Sequence, residues 1–453
     1  MGFKQEIQFE PTEIGLLPED WNVVLLRDAC SKIGSGLTPR GADKVYKTQG
    51  IALIRSQNVL NNRFVSDGLV YIDEKIAKEM ENVEVLKQDV LLNITGDSVA
   101  RCCTVPDSVL PARVNQHVSI IRTSAKYLDP VFLRYYLTSP RMQSYMLSIA
   151  QSGGTRNALT KGTIENFVVP KPDLREQREI ADILSNLDSR ISLNDETNKT
   201  LESIGEAIFK CWFIDFEFPN EEGKPYKSSG GEMVYNEESG KEMPKEWKVD
   251  RLGNYTIIKG RIGWKGLEVS EYVKTGPRIV GGTQLVDGHV NWDECPCVTK
   301  ERYDESPEIM LRQADILMTK DGTIGKLAYV DELKEPATVA SGIFVIRSNS
   351  SVVNQMYLLS YFRSDSFGKL VESRIEGSVV PHLYQRDIAN ILITLPNAQT
   401  AEKFALILGA IQQKIDTNSE SLLLLRKIRD ALLPKLMSGR IRVPFPKEGL
   451  KST

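Results

Sequence analysis

Leu17-Pro18-Glu19-Asp20-Trp21-Asn22-Val23 is matched, 226 positions on (247 − 21), by Met243-Pro244-Lys245-Glu246-Trp247-Lys248-Val249. A tryptophan-centred heptapeptide that returns at such a distance marks an internal repeat, and a repeat governs how everything around it is read. Working outward, residues 50–59 fall on 276–285 at the same offset, which sets Leu53 and Ile54 over Ile279 and Val280. Gln88-Asp89-Val90-Leu91-Leu92, with Gly96 beyond, falls on Ala314-Asp315-Ile316-Leu317-Met318 with Gly322. Residues 118–122 match 343–347 at an offset of 225, and Gly153 and Leu159 match Gly377 and Leu383 at 224. A register that drifts by two between Trp21 and Leu159 describes one fold written twice, with single-residue changes in loops.

Each copy ends in a helical segment. Asp173 follows Pro172 and has Glu176 three residues on, the pattern of a capping box. Asn397 after Pro396 takes the N-cap part in the second copy. Beyond these caps, Ile180, Leu184, Leu187, Ile191, Asn194, Asn198, Leu201, Gly205, Ile208 and Trp212 step by four and three. The second copy gives Phe404, Leu408, Ile411, Ile415, Asn418, Leu422, Leu425, Arg429, Leu432 and Leu436. That is a coiled-coil seam, present twice. Helices of about 40 residues make rods on the order of 60 Å, and two rods from one chain pair most simply with each other. Asn194 and Asn418 hold equivalent seam positions and are expected to fix the register of the pair, the alternative being a solvated break; the companion Asn198 is replaced by Leu422.

Short β-branched and apolar runs at 50–54, 90–94 and 118–121, with their counterparts, are bounded by Gly, Asn, Asp and Ser and read as strands. Residues 130–149 read as one amphipathic helix, with a counterpart over 354–372. Residues 221–242, rich in Gly, Ser, Lys and Glu, read as an exposed linker. The expected fold is α+β: two repeat-related, strand-rich domains joined by two long helices that pair as an antiparallel coiled coil with pseudo-two-fold symmetry. The expected division is a first domain over 1–172, a long helix over 173–219, a linker over 220–245, a second domain over 246–396, a second long helix over 397–442 and a tail over 443–453.

The composition excludes several function classes. Of 453 residues, 41% are hydrophobic and 26% charged, close to a globular average, and no apolar run approaches the roughly 20 residues that cross a bilayer. With no leader-like start, a cytoplasmic location without membrane contact is expected. The net charge of −3 argues against binding nucleic acid through the field of the whole molecule, so any such contact must use local basic patches. Six scattered cysteines without Cys-x-x-Cys spacing and three histidines read as buried or free thiols and structural side chains rather than a zinc site. Gly322-Thr323-Ile324-Gly325-Lys326-Leu327 lacks the spacing and the following Ser or Thr of a phosphate loop. Neither Gly34-Ser35-Gly36 nor Gly260-Arg261-Ile262-Gly263 makes a dinucleotide fingerprint, and an Asn-Pro-Pro-Tyr-like tetrapeptide is absent from the sequence. No catalytic residue and no metal ligand is assigned.

Two stretches resemble a known family. Phe209-Lys210-Cys211-Trp212-Phe213-Ile214-Asp215-Phe216-Glu217-Phe218-Pro219 is similar to the close of the central conserved region in specificity subunits of type I restriction-modification systems. Leu432-Leu433-Pro434-Lys435-Leu436-Met437-Ser438-Gly439-Arg440-Ile441 resembles their C-terminal conserved region, and Pro18 to Trp21 resembles the start of a target-recognition domain. The resemblance runs the length of the chain. It implies a non-catalytic subunit that binds double-stranded DNA, two methyltransferase subunits and restriction or translocase subunits. It also implies that S-adenosylmethionine, ATP and magnesium belong to those partners, with no cofactor in this chain. Two similar but unequal readers on paired helices imply an asymmetric, bipartite target, with half-sites about one helical turn (~10 bp) apart.

Loops on a rigid scaffold carry function, so equivalent loops with polar or basic tips are the candidate DNA contacts. They are Ser35, Thr38 and Arg40 against Arg261, Trp264 and Lys265; Thr95 and Arg101 against Lys320, Thr323 and Lys326; and Thr155, Arg156 and Asn157 against Ser378 and His382. Gln57 and Asn58 are added as readers of adenine edges, and Arg156 with Asn157 as readers of guanine or adenine. For each the alternative is a turn held by its own hydrogen bonds. Trp212, Phe213, Leu433 and Leu436 are either core of the rod or docking surface for a partner. Two other function classes stay open at this point: a duplicated adaptor that binds a non-DNA partner, and an enzyme in its own right.

Overall fold

The computed structural model describes residues 8–152, 157–261, 268–375 and 382–443. The chain divides into two compact units, Met1–Leu193 with Leu422–Thr453, and Asn194–Ser421. Each holds one mixed domain and a stretch of both long helices, Leu174–Phe209 and Ala398–Met437. The class is α+β, as read from the sequence.

In the first unit Val90–Asn93 is the inner strand of an antiparallel sheet, flanked by Cys102–Thr104 and by Val118–Thr123, which in turn pairs with Cys30–Ser35. Successive side chains leave a strand on opposite faces. Val90 and Leu92 therefore join a core with Phe132, Leu133 and Trp21. Leu91 joins another with its cross-strand partner Ile120 and with Leu53 and Ile54, which come from a second sheet in which Ile51–Ile54 runs parallel to Ala112–Val114. Burial on both faces explains the unbroken apolar run, and each such side chain stabilises the fold by about 1.5–3 kcal/mol.

Beneath this strand lies a feature that both units keep. Asp89, 1% exposed, accepts from the Leu86 amide at 2.7 Å and from the Arg122 guanidinium at 2.8 Å through each of two nitrogens. In the second unit Asp315 accepts from the Arg312 amide at 2.7 Å and from Arg347 at 2.6 and 2.7 Å. The turn before each aspartate passes through a left-handed residue, Gln88 at φ 63° and Ala314 at φ 69°. The second unit repeats the main sheet as Thr256–Gly260, Ile343–Ser348, Ile316–Thr319 and Leu327–Tyr329.

Several expectations need correction. The helix expected over 130–149 is two, Pro130–Thr138 and Pro140–Ser152, because the residue before a proline is driven out of the helical region; Ser139 sits at ψ 145°. The counterpart breaks at Ser364, between Gln355–Arg363 and Asp365–Ile375, without a proline. There the Ser364 hydroxyl accepts from the Phe367 amide at 3.4 Å and caps the second piece. The segment read as a linker contains a hairpin, Met233–Asn236 with Lys241–Pro244, which repeats Phe9–Thr12 with Gly15–Pro18. Tyr226, in the same segment, stacks on Phe218 at 4.6 Å.

The capping box at Asp173 is only half formed. Asp173 accepts from the Arg175 amide at 2.8 Å, but Glu176 turns away to accept from Trp21 Nε1 at 3.0 Å and from Arg442 at 2.7 and 2.9 Å. Asn397 does cap its helix, accepting from the Thr400 amide at 2.9 Å.

The long helices run antiparallel within each unit. In the first, Ile180 and Leu184 pack in one core with Leu433, Leu436 and Met437, and Arg429 pairs with Asp188 at 3.0 Å. In the second, a Cβ added to Gly205 would lie 3.1 Å from Leu408, and Asn418 Nδ2 donates to Asn198 Oδ1 at 2.9 Å. Asn418, 5% exposed, thus engages Asn198 and not the register residue expected, Asn194, which is half-buried. In an antiparallel pair the partner of a seam position is fixed by where the helices cross, so repeat-equivalent residues need not meet.

Candidate DNA interface

Hydrogen bonds gather the candidate loops of the first unit at one end of its sheets. The Ile94 amide donates to the His117 carbonyl at 3.0 Å, and Thr95 Oγ1 lies 2.6 Å from His117 Nδ1. The Asn115 amide donates to Ile54 O at 3.0 Å, the Gly36 amide to Val118 O at 3.0 Å and the Leu37 amide to Val114 O at 3.2 Å. Gly36 admits no side chain, since a Cβ there would lie 2.0 Å from Val114 O. The Gly96 amide donates to Asn157 O at 3.1 Å. Ser35, Thr38, Arg40, Gln57 and Arg101 are exposed on this end, with Thr95 and Asn157 half-buried.

The second unit builds the same end with different tips. The Lys320 amide donates to Gly342 O at 2.9 Å and the Leu383 amide to Lys320 O at 3.0 Å. The Lys320 ammonium lies 5.3 Å over the Phe344 ring, and Lys326 Nζ donates to Gly282 O at 3.3 Å. Thr323 is exposed, and His382 Nδ1 pairs with the Asp321 carboxylate while its ring meets Tyr384 edge-on at 4.5 Å. Asp321 and His382 form the backbone bridge that Thr95 and Ala158 form in the first unit.

Two candidates are structural instead. Asn58 is fully buried; it accepts from the Arg55 amide at 3.0 Å and donates to Val65 O at 2.9 Å and Asp67 O at 3.2 Å. Gln284 holds the equivalent turn by accepting from the Gly281 amide at 3.1 Å. Arg261, 3% exposed, donates to Val339 O at 3.0 Å and Thr338 Oγ1 at 3.3 Å, and burial lowers its pKa. Thr155, Arg156, Trp264, Lys265 and Ser378 lie outside the described residues.

The sequence reading missed the turn at the centre of the first unit's site, Asn115-Gln116-His117, where Gln116 is exposed and its Nε2 lies 2.9 Å from His117 Nε2. It also missed Arg55, which donates to Gly68 O at 2.7 Å and lies 5.5 Å over Tyr46. A signal for the turn was available: the repeat places Ala340-Ser341-Gly342 opposite it, a sharp change directly before well-matched strands.

The four docking candidates are core. Trp212 and Phe213, 6% and 3% exposed, pack with Phe404, Tyr357 and Trp247; Leu433 and Leu436 pack under Trp21. Their aromatic and leucine side chains close the units where the helices meet the domains. The long helices' exposed apolar residues are others, Leu193, Leu423, Leu424 and Ile428 in the first unit and Ile204, Leu406 and Ile407 in the second.

Comparison with known proteins places these features. Residues 18–203 and 244–425 match the type I restriction modification DNA specificity domain. The MjaIX specificity subunit of Methanocaldococcus jannaschii is 30% identical over 444 residues, covering 97% of this chain and 98% of that one. The EcoBI specificity subunit of Escherichia coli is 24% identical over 375 residues, covering 82% and 75%. A type I S subunit structure from M. genitalium shares the fold at a TM-score of 0.60 with 15% identity, covering 96% of this chain and 98% of that one. The two matched domains fall one on each half of the repeat opened by Trp21 and Trp247, and the chain belongs to the family of type I restriction-modification DNA specificity subunits.

Proposed function

We propose that this chain reads an asymmetric, bipartite DNA target, one half-site per domain, and docks the methyltransferase and restriction-motor subunits that carry out the chemistry. The observation that carries this reading is the contrast within the repeat. The Asp89–Arg122 and Asp315–Arg347 pairs hold one strand framework, while the turn above it is Asn-Gln-His in one unit and Ala-Ser-Gly in the other. Equal frames with unequal tips are what two half-sites of different sequence require. Asn and Gln read adenine edges and Arg reads guanine, so Gln116, Gln57, Arg40 and Arg101 are the donors expected on the first half-site. Lys320 and Lys326 supply phosphate contacts on the second. The paired helices set the gap between half-sites, and their exposed leucines and isoleucines take up the methyltransferase subunits. S-adenosylmethionine, ATP and magnesium are bound by those partners, and the chain itself performs no step.

The test is to co-express the chain with its methyltransferase and map modified adenines genome-wide, with and without Gln116→Ser and His117→Gly, the residues of the other copy. One half of a two-part motif should change while the other half and the spacer stay fixed. A continuous or palindromic motif, or a change in both halves, would overturn the reading, and absence of salt-dependent duplex binding by the complex would favour a non-DNA adaptor.

A further inference from the structure

His289, Asp331 and Asp416 meet in the second unit, on the strand His289–Val290, the loop after Leu327–Tyr329 and the helix Ala398–Met437. Each offers one donor atom, and the three atoms lie within 4.8 Å of one another. All three residues are partly buried, and His289 and Asp331 side chains are each 17% exposed.

The histidine's hydrogen positions follow from its neighbours. The Ser419 hydroxyl donates to the Ile415 carbonyl at 2.8 Å, so toward His289 Nε2, 3.1 Å away, its oxygen acts as an acceptor. With Asn198 Nδ2 also donating to that oxygen at 3.1 Å, this arrangement favours a hydrogen on Nε2, and in that neutral tautomer Nδ1 presents a bare lone pair. That Nδ1 is buried without a hydrogen-bond partner and faces the Asp331 carboxylate at 3.6 Å. A lone pair set against two carboxylates is repulsive unless a positive centre stands between them. Asp416 accepts from Gln412 Nε2 at 2.7 Å and feels the Arg363 charge, but burial outweighs both and raises its pKa.

We propose that His289 Nδ1 and the carboxylates of Asp331 and Asp416 bind one divalent transition-metal ion of the zinc class. One nitrogen and two carboxylate oxygens are an ordinary donor set for zinc, and bonds of about 2.0–2.2 Å place tetrahedral donors about 3.3–3.6 Å apart, as the His289–Asp331 pair already is. Small rotations of Asp416 bring in the third ligand, and water takes the fourth position. Ser419 orients the ring through its other nitrogen, the usual second partner of a metal-bound histidine. The ion would tie the second domain to its helix. The first copy lacks the means, since Arg63, Pro106 and Ser192 stand at the equivalent positions.

Chelator-treated full-length chain should take up one Zn2+ by titration calorimetry, with Mg2+ bound far more weakly. Co2+ should give the intense visible absorption of a tetrahedral site. His289→Gln and Asp416→Asn should each abolish the Co2+ spectrum, Ser419→Ala should weaken Zn2+ binding about tenfold, and Asp107→Asn should change nothing. No Zn2+ uptake by the wild-type chain would overturn the proposal, as would a Co2+ spectrum that survives both ligand substitutions. An imidazole 15N spectrum that shows His289 doubly protonated at neutral pH and indifferent to Zn2+ would establish an ion pair with Asp331 in its place.

Discussion

Removing the Arg442 guanidinium should loosen the whole first unit, because it is the main counter-charge of a carboxylate that has nowhere to go. Glu176 is 1% exposed and is held by Trp21 Nε1 and by two nitrogens of Arg442. Breaking a buried pair from one side costs about 3–5 kcal/mol, because the remaining charge stays buried. The second arm of Arg442, to Asp20 at 2.7 Å, counts for little, since that side chain is 62% exposed; surface pairs are worth about 0–1 kcal/mol. Arg442 itself is 27% exposed, so water screens part of the loss, and Arg442→Ala should cost about 2–4 kcal/mol. A chain of two units has no single unfolding free energy, so the assay is hydrogen exchange on peptides around Trp21 and residues 174–184. Protection there should fall about 30- to 1,000-fold, while peptides around Trp247 keep theirs. Adding Glu176→Gln removes the stranded charge and keeps the Trp21 bond, so the double variant should regain at least about 1 kcal/mol. If Arg442→Ala with Glu176→Gln is no better protected than Arg442→Ala alone, the buried-charge argument is wrong.

Asn58→Ala should lower the melting temperature of the first unit through the loss of three hydrogen bonds, a cost of about 2–3 kcal/mol, without the half-site change expected of a base-reading residue. Ala314→Gly should stabilise the second unit by about 0.5–1 kcal/mol in urea unfolding, because a left-handed alanine at φ 69° costs more than the freedom glycine adds to the unfolded chain. In metal-free protein Asp416→Asn should stabilise the second unit at neutral pH. Burial raises the Asp416 pKa, so the folded state favours the protonated acid; that advantage is full below the unfolded pKa of about 4 and is lost as pH rises through the folded value. Melting curves of the two proteins should converge below pH ~4 and separate above it.

The sequence displayed the duplication, the strands and the long helices because each is a periodicity, and periodicity survives without knowledge of neighbours. The break at Ser139 is legible in the sequence as Ser139-Pro140, since the residue before a proline leaves the helical region. Residue type could not show that Asn58 and Arg261 point inward while Gln57 and Arg101 point out. Polar side chains at strand ends look alike until the carbonyls that receive them are placed. The engagement of Asn418 with Asn198 depended on where antiparallel helices cross, which no single seam encodes. The exchange of Glu176 from helix cap to Trp21 depended on Arg442, 266 residues away. These last two features are long-range pairings, set by residues 220 and 266 positions apart, and no local pattern carries them.

The two copies solve one packing problem with different chemistry, and that difference can be transplanted. Over Trp21 sits the Arg442 guanidinium at 5.9 Å, answered by Glu176. Over Trp247 sits the Phe218 ring, stacked at 4.8 Å, with Thr400 at the repeat position of Glu176. Among the described residues Trp247 Nε1 is buried without a hydrogen-bond partner, the acceptor that Glu176 supplies being missing. Phe218→Arg alone should destabilise the second unit by about 2–4 kcal/mol, losing aromatic packing. Thr400→Glu alone should do comparable harm by burying an uncompensated carboxylate. Together they rebuild the first unit's arrangement, with Glu246 at the place of Asp20 and an acceptor for Trp247, so the double variant should be more stable than either single one. Strict additivity in a double-mutant cycle would mean that the clamp is shaped by its surroundings and not by these three side chains.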